Sequence, residues 1–329
     1  MLEARRLVGA RQTALAIGLT AVTVAALAAD LPGSAAQGTL RAQLIGHWRL
    51  VSSEQMREGE APVLSLGPSP AGMISYTADG HMLAHLVSTV RPKVRAADAT
   101  PDQQRELLRT YPAYFGTFDV DETARTVTHH RDGSQVPGER DFVRTIDLRG
   151  NRLVLTTPTT LVEGKKRFAR ITWERLSVAS VVAPHVAAAR AAVTGTWELV
   201  EHQTTRASGD VRRSFGPSPK GLFVFHEDGH TTVQIVNSDR PVTPLAVASD
   251  DQVRALTRSY LAYFGTFDVD LATKKIVVHT IADLNPANSG ADQIRFYELQ
   301  GDMLYLQPPP TPVVGGGQQV SRITWRRVK

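Results

Sequence analysis

Apolar and polar residues alternate over short segments through most of the chain, and turn-forming residues separate these segments. Alternation with a period of two predicts β-strands that bury one face. Asp79-Gly80 and Gly150-Asn151 have the composition of tight turns between strands. Over residues 46–176 the pattern predicts eight strands, around the segments HWRLVSS, GMISYT, MLAHLVS, GTFDV, TVTHH, DFVRTIDL, RLVLTT and RFARITWERL.

One segment among these strands has helical periodicity, TPDQQRELLRTYPAYFG. Thr100 and Gln103 have the spacing of a capping box, and Pro101 suits the first helical turn. The apolar spacing predicts a helix with one apolar face that continues to Phe115 and ends at Gly116. Because helices do not alternate with the strands, the pattern disfavours a parallel sheet and indicates an antiparallel one.

The whole pattern occurs twice. LAYFGTFDVD, which begins at Leu261, repeats nine of the ten residues of PAYFGTFDVD, which begins at Pro112. Equivalent residues are separated by 149 positions (263 − 114) as far as His130, and by a few more after it, so Ser249 and Gln252 repeat the capping-box spacing. A unit of about 130 residues is too long for a solenoid repeat and suits an independent domain. The chain is therefore expected to contain two tandem homologous domains.

We place domain one at residues 46–176 and domain two at residues 195–328, joined by a connector at 177–194 in which Pro184 can begin a short helix. Eight consecutive antiparallel strands with one apolar face favour closure into a barrel, because closure removes exposed edges. Such a barrel holds either its own side chains or one small ligand. The predicted fold class is all-β, with two tandem eight-stranded antiparallel barrels and one short α-helix in each.

Composition supports a globular protein, because 42% of the 329 residues are hydrophobic and 21% are charged. The formal net charge of +5 arises from Lys and Arg residues that are scattered along the chain. Without a basic run, this charge does not predict nucleic-acid binding. The chain has no cysteine, so each domain must be stable without disulfides.

Residues 1–36 have the layout of a signal peptide, in which the basic segment MLEARRLVGARQ precedes the apolar segment TALAIGLTAVTVAALAA. Cleavage is expected after Ala36, with Ala28 as the second choice. The apolar run of 17 residues (29 − 13 + 1) is slightly short for a spanning helix, and an uncleaved anchor is the alternative. We expect an exported protein, periplasmic or secreted, without a membrane span once the leader is removed.

The succession of motifs G-x-W, G-P-x-P-x-G, D-G-H, R-P, Y-F-G and I-T-W, found in both halves, resembles the bacterial and fungal lipocalin-like domain family. The resemblance implies a calycin-type barrel with no established activity. It also implies that Trp48 and Trp197 plug one end of each barrel beneath Arg175 and Arg327. After His130, domain one departs from the family's loop whereas domain two keeps it as ADLNPANSG. Domain one is therefore expected to be the scaffold.

Histidine, tyrosine and arginine recur at equivalent positions of the two domains and supply candidate polar anchors for a pocket. His129 and His130 are adjacent on a strand and point to opposite faces; His130 is the one that recurs. The alternative roles are a solvated or core-bonded histidine, a tyrosine ring that covers the barrel and a surface arginine. The predicted ligand contacts are His81, Tyr114, His130, Arg91, His230, Tyr263, His279 and Arg240.

No metal site is predicted, because the Cα atoms of His81 and His85, four apart on one strand, are about 13 Å apart. Asp119 and Asp121 share a strand face, and paired acids can divide acid and base roles. Next to a turn, however, aspartates more often cap the turn. The same two interpretations apply to their equivalents in domain two.

The chain contains no nucleophile elbow, P-loop or dinucleotide fingerprint, and no cofactor is predicted. Our leading hypothesis is that one or both barrels bind a small, largely apolar molecule. A cofactor-free isomerase, cyclase or hydrolase that uses the same cavity is the alternative, and a structural module with filled barrels is another. Convergence of His81, His130 and Tyr114 in a cavity would favour the enzyme.

Overall fold

The computed structural model describes residues 38–176, 184–313 and 316–329. The predicted leader lies outside the described residues, as do residues 177–183 of the predicted connector. Among the helices of these three segments, none has the length and apolar character needed to cross a membrane.

The first half of the described chain forms a closed antiparallel barrel, which we call barrel 1. Its eight strands are β1 (Gly46–Arg57), β3 (Ala71–Tyr76), β4 (His81–Val87), β5 (Ala113–Asp121), β6 (Thr126–Ser134), β7 (Asp141–Arg149), β8 (Arg152–Thr156) and β10 (Lys165–Arg175). Each strand pairs with the next, and pairing of β1 with β10 closes the barrel. Two short strands, β2 (Val63–Leu64) and β9 (Thr160–Val162), pair with β1 and β10.

The second half repeats this topology as barrel 2. Its strands are β11 (Gly195–Arg206), β13 (Lys220–Phe225), β14 (His230–Val236), β15 (Tyr260–Asp270), β16 (Lys275–Asp283), β17 (Asp292–Gln300), β18 (Met303–Gln307) and β20 (Gln318–Arg327), with β12 (Val211–Arg213) and β19 (Thr311–Pro312) as the short additions. Pairing of β11 with β20 closes it. The prediction of two eight-stranded antiparallel barrels is confirmed.

In the described part of the chain, four α-helices accompany the barrels: α1 (Leu40–Leu44), α2 (Pro101–Arg109), α3 (Pro184–Ala191) and α4 (Asp250–Arg258). Short 3-10 turns lie at Leu245–Val247 and Pro286–Asn288. Both expected capping boxes are present, at Thr100 and at Ser249. The prediction that the first helix extends to Phe115 was wrong, because α2 ends at Arg109 and β5 begins at Ala113. Pro112 lies between them and cannot donate a helical hydrogen bond.

The repeated Y-F-G motif is therefore part of a strand. Tyr114 packs with the interior of barrel 1, and Phe115 packs outside it. At Gly116 the register between β5 and β6 shifts, and a Cβ there would lie 1.9 Å from the carbonyl oxygen of His130. Gly265 has the same relation, at 2.1 Å, to His279. A β-bulge that admits only glycine explains this part of the repeat.

The interior of each barrel is plugged at one end by a tryptophan beneath an arginine. The Arg175 guanidinium lies 4.0 Å from the ring centre of Trp48 and donates to the carbonyl of Ile45, just after α1. Arg327 lies 4.1 Å from the ring centre of Trp197 in the same way. The arrangement implied by the family resemblance is thus present in both barrels, with a short helix covering each plug.

The outer faces of β3 to β5 pack against the outer faces of β13 to β15 and form a third core between the barrels. Tyr111 with Tyr260 and Phe115 with Phe264 are its largest pairs of equivalent side chains. His85 and Gln234, which are equivalent in the repeat, contact each other at 3.0 Å. The two barrels are therefore related by an approximate two-fold axis that passes between these two residues, as in a symmetric dimer.

Candidate ligand site in barrel 1

A cavity of about 600 Å³ enters barrel 1 from the end opposite the tryptophan plug. Its walls are mostly apolar, with Leu66, Leu86 and Ile171 among the lining residues. Leu108 of α2 and Leu245 of the second half of the chain line its mouth. The volume suits a small organic molecule, because ligand sites typically measure about 300 to 1,000 Å³.

A hydrogen-bonded chain of three side chains borders this cavity. The Tyr76 hydroxyl lies 2.7 Å from Nε2 of His129, and the Tyr114 hydroxyl lies 3.0 Å from Nδ1 of the same ring. Tyr76 and His129 are fully buried, whereas Tyr114 lines the cavity. Burial, with a smaller effect of nearby Arg144, lowers the pKa of His129 to about 3. The imidazole is therefore neutral and has one donor and one acceptor nitrogen.

The direction of these hydrogen bonds follows from the burial of Tyr76. Its hydroxyl has a single partner among the described residues, Nε2 of His129, and a buried hydroxyl must donate its proton. Nε2 therefore accepts, and the Nδ1–H of His129 donates to the oxygen of Tyr114. The hydroxyl proton of Tyr114 then has no protein acceptor within the described chain. This assignment leaves a donor directed at the cavity.

Positive charge surrounds the mouth of the cavity. Arg131 and Arg144 both lie over the ring of Phe142, at 4.0 and 4.7 Å from its centre. Neither forms a salt bridge in the part of the chain that the structure describes, and Arg109 and Arg167 also line the cavity. Its described lining includes no aspartate or glutamate. The site therefore suits a ligand that combines an apolar body with an electron-rich acceptor group.

Barrel 2 has an aromatic interior at the equivalent positions. Leu66 is replaced by Phe215, Tyr76 by Phe225 and His129 by Val278, as the alignment of the repeats shows. Phe225 lies 4.2 Å from Phe223 between ring centres, and all these residues are buried in one cluster. Among the described residues, the polar chain and this cavity lie in barrel 1. The sequence-based expectation that domain one is the scaffold stays a prediction.

Of the predicted contacts, the two tyrosines point inward. Tyr114 lines the cavity of barrel 1, and Tyr263 is buried in the interior cluster of barrel 2. His81 and His230 instead lie on the outward register of β4 and β14, and their Nδ1 atoms are 2.9 and 2.8 Å from Asp79 and Asp228, which precede them by two residues. The three residues whose convergence would have favoured an enzyme do not meet in the cavity.

His130 and His279 also lie on the outer surface. His130 is held between Asp141 and Asp119, at 2.9 and 3.1 Å, and these carboxylates raise its pKa. The interior histidine is its neighbour His129, which sequence analysis did not select because it does not recur in domain two. A signal was available, since the TVTHH segment alternates and places His129 on the apolar side with Val127.

Arg91 and Arg240 connect the two barrels, and neither lines the barrel 1 cavity. Arg91 donates to the carbonyls of Asp283 and Leu284, at 2.9 and 2.8 Å, and Arg240 donates to the equivalent carbonyls of Ser134 and Gln135. Each arginine thus binds the loop of the opposite barrel across the approximate two-fold axis. These hydrogen bonds to the backbone hold both guanidinium groups at the interface between the barrels.

The aspartates beside the turn act as turn caps. Oδ1 of Asp121 accepts hydrogen bonds from the backbone N–H groups of Thr123 and Ala124 at 2.9 and 2.8 Å. Asp270 caps the equivalent turn in barrel 2. This geometry fits the structural interpretation for Asp121 and Asp270, whereas Asp119 contacts His130. The described lining of the cavity contains no acidic residue.

The lipocalin-like domain family matches the chain at residues 45–176 and 194–328, and the protein belongs to this family. The chain is also similar to the 4'-hydroxy-3'-methoxypropiophenone carrier protein ppsC of Aspergillus oryzae. The two are 31% identical over 101 residues, which cover 27% of this chain and 91% of that relative.

Solved structures with a weaker likeness include an uncharacterized protein, YLR301w, of Saccharomyces cerevisiae. It has a TM-score of 0.41 and 9% identity, over 86% of this chain and 98% of that one. Another is a protein of unknown function from Nostoc punctiforme, with a TM-score of 0.24 and 9% identity, over 87% of this chain and 97% of that one. At these values the likenesses identify neither a ligand nor a partner.

Proposed function

We propose that barrel 1 binds and carries one small, largely apolar molecule that presents a carbonyl or similar acceptor to Tyr114, and that barrel 2 is a scaffold. The observation that carries this proposal is the unpaired hydroxyl donor of Tyr114 at the wall of an apolar cavity. A ligand acceptor satisfies that donor, and the apolar walls bury the rest of the molecule.

Carriage fits the site better than catalysis. A general acid or base works best with a pKa near the operating pH. The pKa of His129 is lowered to about 3 by burial, and the pKa of Tyr114 is raised by burial above its ordinary value near 10. Neither group exchanges protons readily at neutral pH, whereas both hold a fixed hydrogen-bond geometry.

The fungal relative supports the same class of ligand, because its name describes a carrier of an aryl ketone. An aryl ketone has an apolar ring and one carbonyl acceptor, which are the features that the cavity and Tyr114 accommodate. We also propose that the protein is exported, on the strength of the leader-like residues 1–36. N-terminal sequencing of the secreted or periplasmic protein, expected to begin at Gln37, tests export.

Binding is tested by isothermal titration of the full chain with 4'-hydroxy-3'-methoxypropiophenone and with the same compound in which a methylene replaces the carbonyl. We expect one bound ketone per chain. Tyr114→Phe should weaken ketone binding by about tenfold, the value of one buried hydrogen bond. The methylene compound should bind both proteins equally.

Tyr263→Phe is the matched control, because it removes the equivalent hydroxyl from barrel 2 and should leave ketone affinity unchanged. Leu86→Trp, which fills the cavity from its wall, should abolish binding. Two outcomes would overturn the proposal: no member of an aryl ketone panel binds the wild-type chain, or Leu86→Trp binds the ketone as the wild type does.

A further inference from the structure

Four side chains with metal-ligating chemistry meet at one end of the junction between the barrels. Three of them, His226, Asp228 and His230, belong to the turn and start of strand β14, and the fourth, His47, comes from β1 of barrel 1. Nδ1 of His230 lies 2.8 Å from Oδ2 of Asp228, and Nε2 of His47 contacts the same oxygen. One carboxylate thus receives a histidine from each barrel.

The side chains of this cluster are buried or half-buried and pack against one another. Asp228 is buried and accepts hydrogen bonds from His230 and His47. The ring of His226 packs 4.3 Å from that of His47 between centres. Carboxylate oxygens and imidazole nitrogens, which transition metals accept as ligands, are therefore held close together.

The cluster also contains an unsatisfied nitrogen. Nδ1 of His47 is buried and has no hydrogen-bond partner among the described residues. When Nε2 of His47 donates to Asp228, this Nδ1 carries an unused lone pair. A tautomer with the proton on Nδ1 frees Nε2 as a ligand beside the carboxylate.

We propose that His47, Asp228 and His230 bind one divalent transition-metal ion, of which Zn²⁺ is the best representative, and that this ion joins the two barrels. The three donor atoms lie within 4.8 Å of one another. Ligands of a tetrahedral zinc with bond lengths near 2.1 Å are separated by about 3.4 Å, so small side-chain shifts are enough. Two imidazoles and one carboxylate favour zinc or a related ion over calcium or magnesium.

The approximate two-fold axis supplies an internal control. The equivalent site at the other end of the junction keeps the acid and the histidine as Asp79 and His81. It has Thr196 in place of His47 and Thr77 in place of His226. Two donors do not make a zinc site, so only the end that contains His47, Asp228 and His230 is expected to bind the ion. This proposal departs from the prediction of no metal site, which considered spacing along one strand, and it is independent of the ligand proposed for barrel 1.

The test is a calorimetric titration of the full chain, without an affinity tag, with ZnCl₂. The wild type should bind one ion per chain. His47→Gln and His230→Gln should each weaken binding by at least about tenfold, because even outer-shell changes cost that much. His81→Gln, the matched control at the other end, should bind as the wild type does. Co²⁺ bound in place of zinc should give the visible absorption of a tetrahedral ion, lost in His230→Gln.

His230→Cys keeps a zinc ligand at the same position and should restore binding, which a general loss of folding would not allow. Circular dichroism of the zinc-free variants identifies any that fail to fold. The proposal is overturned if the folded wild type takes up no zinc at micromolar concentrations. It is also overturned if His47→Gln and His230→Gln retain wild-type affinity, or if His81→Gln loses as much.

Discussion

The backbone of Gly116 passes so close to the neighbouring strand that one added carbon has no space. We expect Gly116→Ala to lower the free energy of unfolding by about 1–3 kcal/mol, the usual cost of forcing an atom into a packed region. The obstacle is a carbonyl oxygen, which cannot move without breaking strand pairing. Urea denaturation measures the change.

Gly38→Ala is the control, because a Cβ there meets Ala42 at an ordinary contact distance of 3.6 Å. Its free energy of unfolding should stay within about 0.5 kcal/mol of the wild type. Equal stability of Gly116→Ala and the wild type would show that the bulge relaxes without cost.

A second observation at this level concerns His129. In the second repeat Val278 replaces His129 and Phe225 replaces Tyr76. The hydrogen-bonded side chains of barrel 1 are therefore replaced by apolar ones in barrel 2. The donor on Tyr114 depends on His129, because the histidine fixes which way the hydrogen bonds run. The two barrels therefore differ in chemistry through a few interior substitutions while their strands remain the same.

At the level of secondary structure, strand β10 and helix α1 form a plug over the closed end of barrel 1. Arg175 combines contact with the Trp48 ring and hydrogen bonds to the carbonyls of Ile45 and Gln43. We expect Arg175→Met to keep most of the packing and to lower the free energy of unfolding by about 1.5–3 kcal/mol, the value of hydrogen bonds from a charged group. Chemical denaturation followed by tryptophan fluorescence measures it.

Arg170→Met on the same strand is the comparison. Its ion pair with Glu54 is solvent-exposed, with 44% of the arginine side chain accessible. Exposed ion pairs contribute at most about 1 kcal/mol, so this variant should remain close to the wild type. If Arg170→Met lowered the free energy of unfolding as much as Arg175→Met, the contacts of the plug would contribute no more than an exposed ion pair.

For the molecule as a whole, the junction between the barrels contains His85, which lies at the approximate two-fold axis. Its Nε2 lies 2.6 Å from Thr232 and 3.0 Å from Gln234, and burial lowers its pKa from 6.5 to about 3. Between pH 3 and pH 6.5, His85 is therefore protonated in the unfolded chain but neutral in the folded chain. The contribution of His85 to stability is therefore complete above pH 6.5 and falls as the pH drops towards 3.

His85→Gln places the residue of the second repeat at this position and removes that titration. The free energy of unfolding should fall less steeply with acidification, by up to about 1.4 kcal/mol per pH unit. Urea denaturation between pH 7 and pH 4 measures the slope. An unchanged slope would contradict the assignment of a buried neutral histidine.

His130→Gln is the control of opposite sign. Hydrogen bonds to Asp141 and Asp119 raise the folded pKa of His130. Its contribution to stability is complete below the unfolded value near 6.5 and is lost as the pH rises through the folded value. Removing it should lower stability on the acid side by a constant amount without changing the slope in that range.

Local sequence patterns predicted some features of the fold correctly and others wrongly. The strand order and the caps at Thr100 and Ser249 followed from local patterns and were correct. The predicted helix α2 was too long because Tyr114 and Phe115 continue its apolar spacing although they belong to strand β5. Tyr114 faces the barrel interior, and Phe115 faces the second barrel. Pro112 was the local sign that the helix had ended.

Local periodicity and the repeat were sufficient to establish two closed barrels, because strand alternation, turn residues and duplicated motifs act through neighbours along the chain. The position of the cavity, the roles of Arg91 and Arg240 and the meeting of His47 with Asp228 depended on three-dimensional packing. Strands β3 and β4 and the first half of β5 are buried on both faces. Alternation then cannot tell the inner face from the one that meets the other barrel, and residues distant in sequence come together only when the barrels pack.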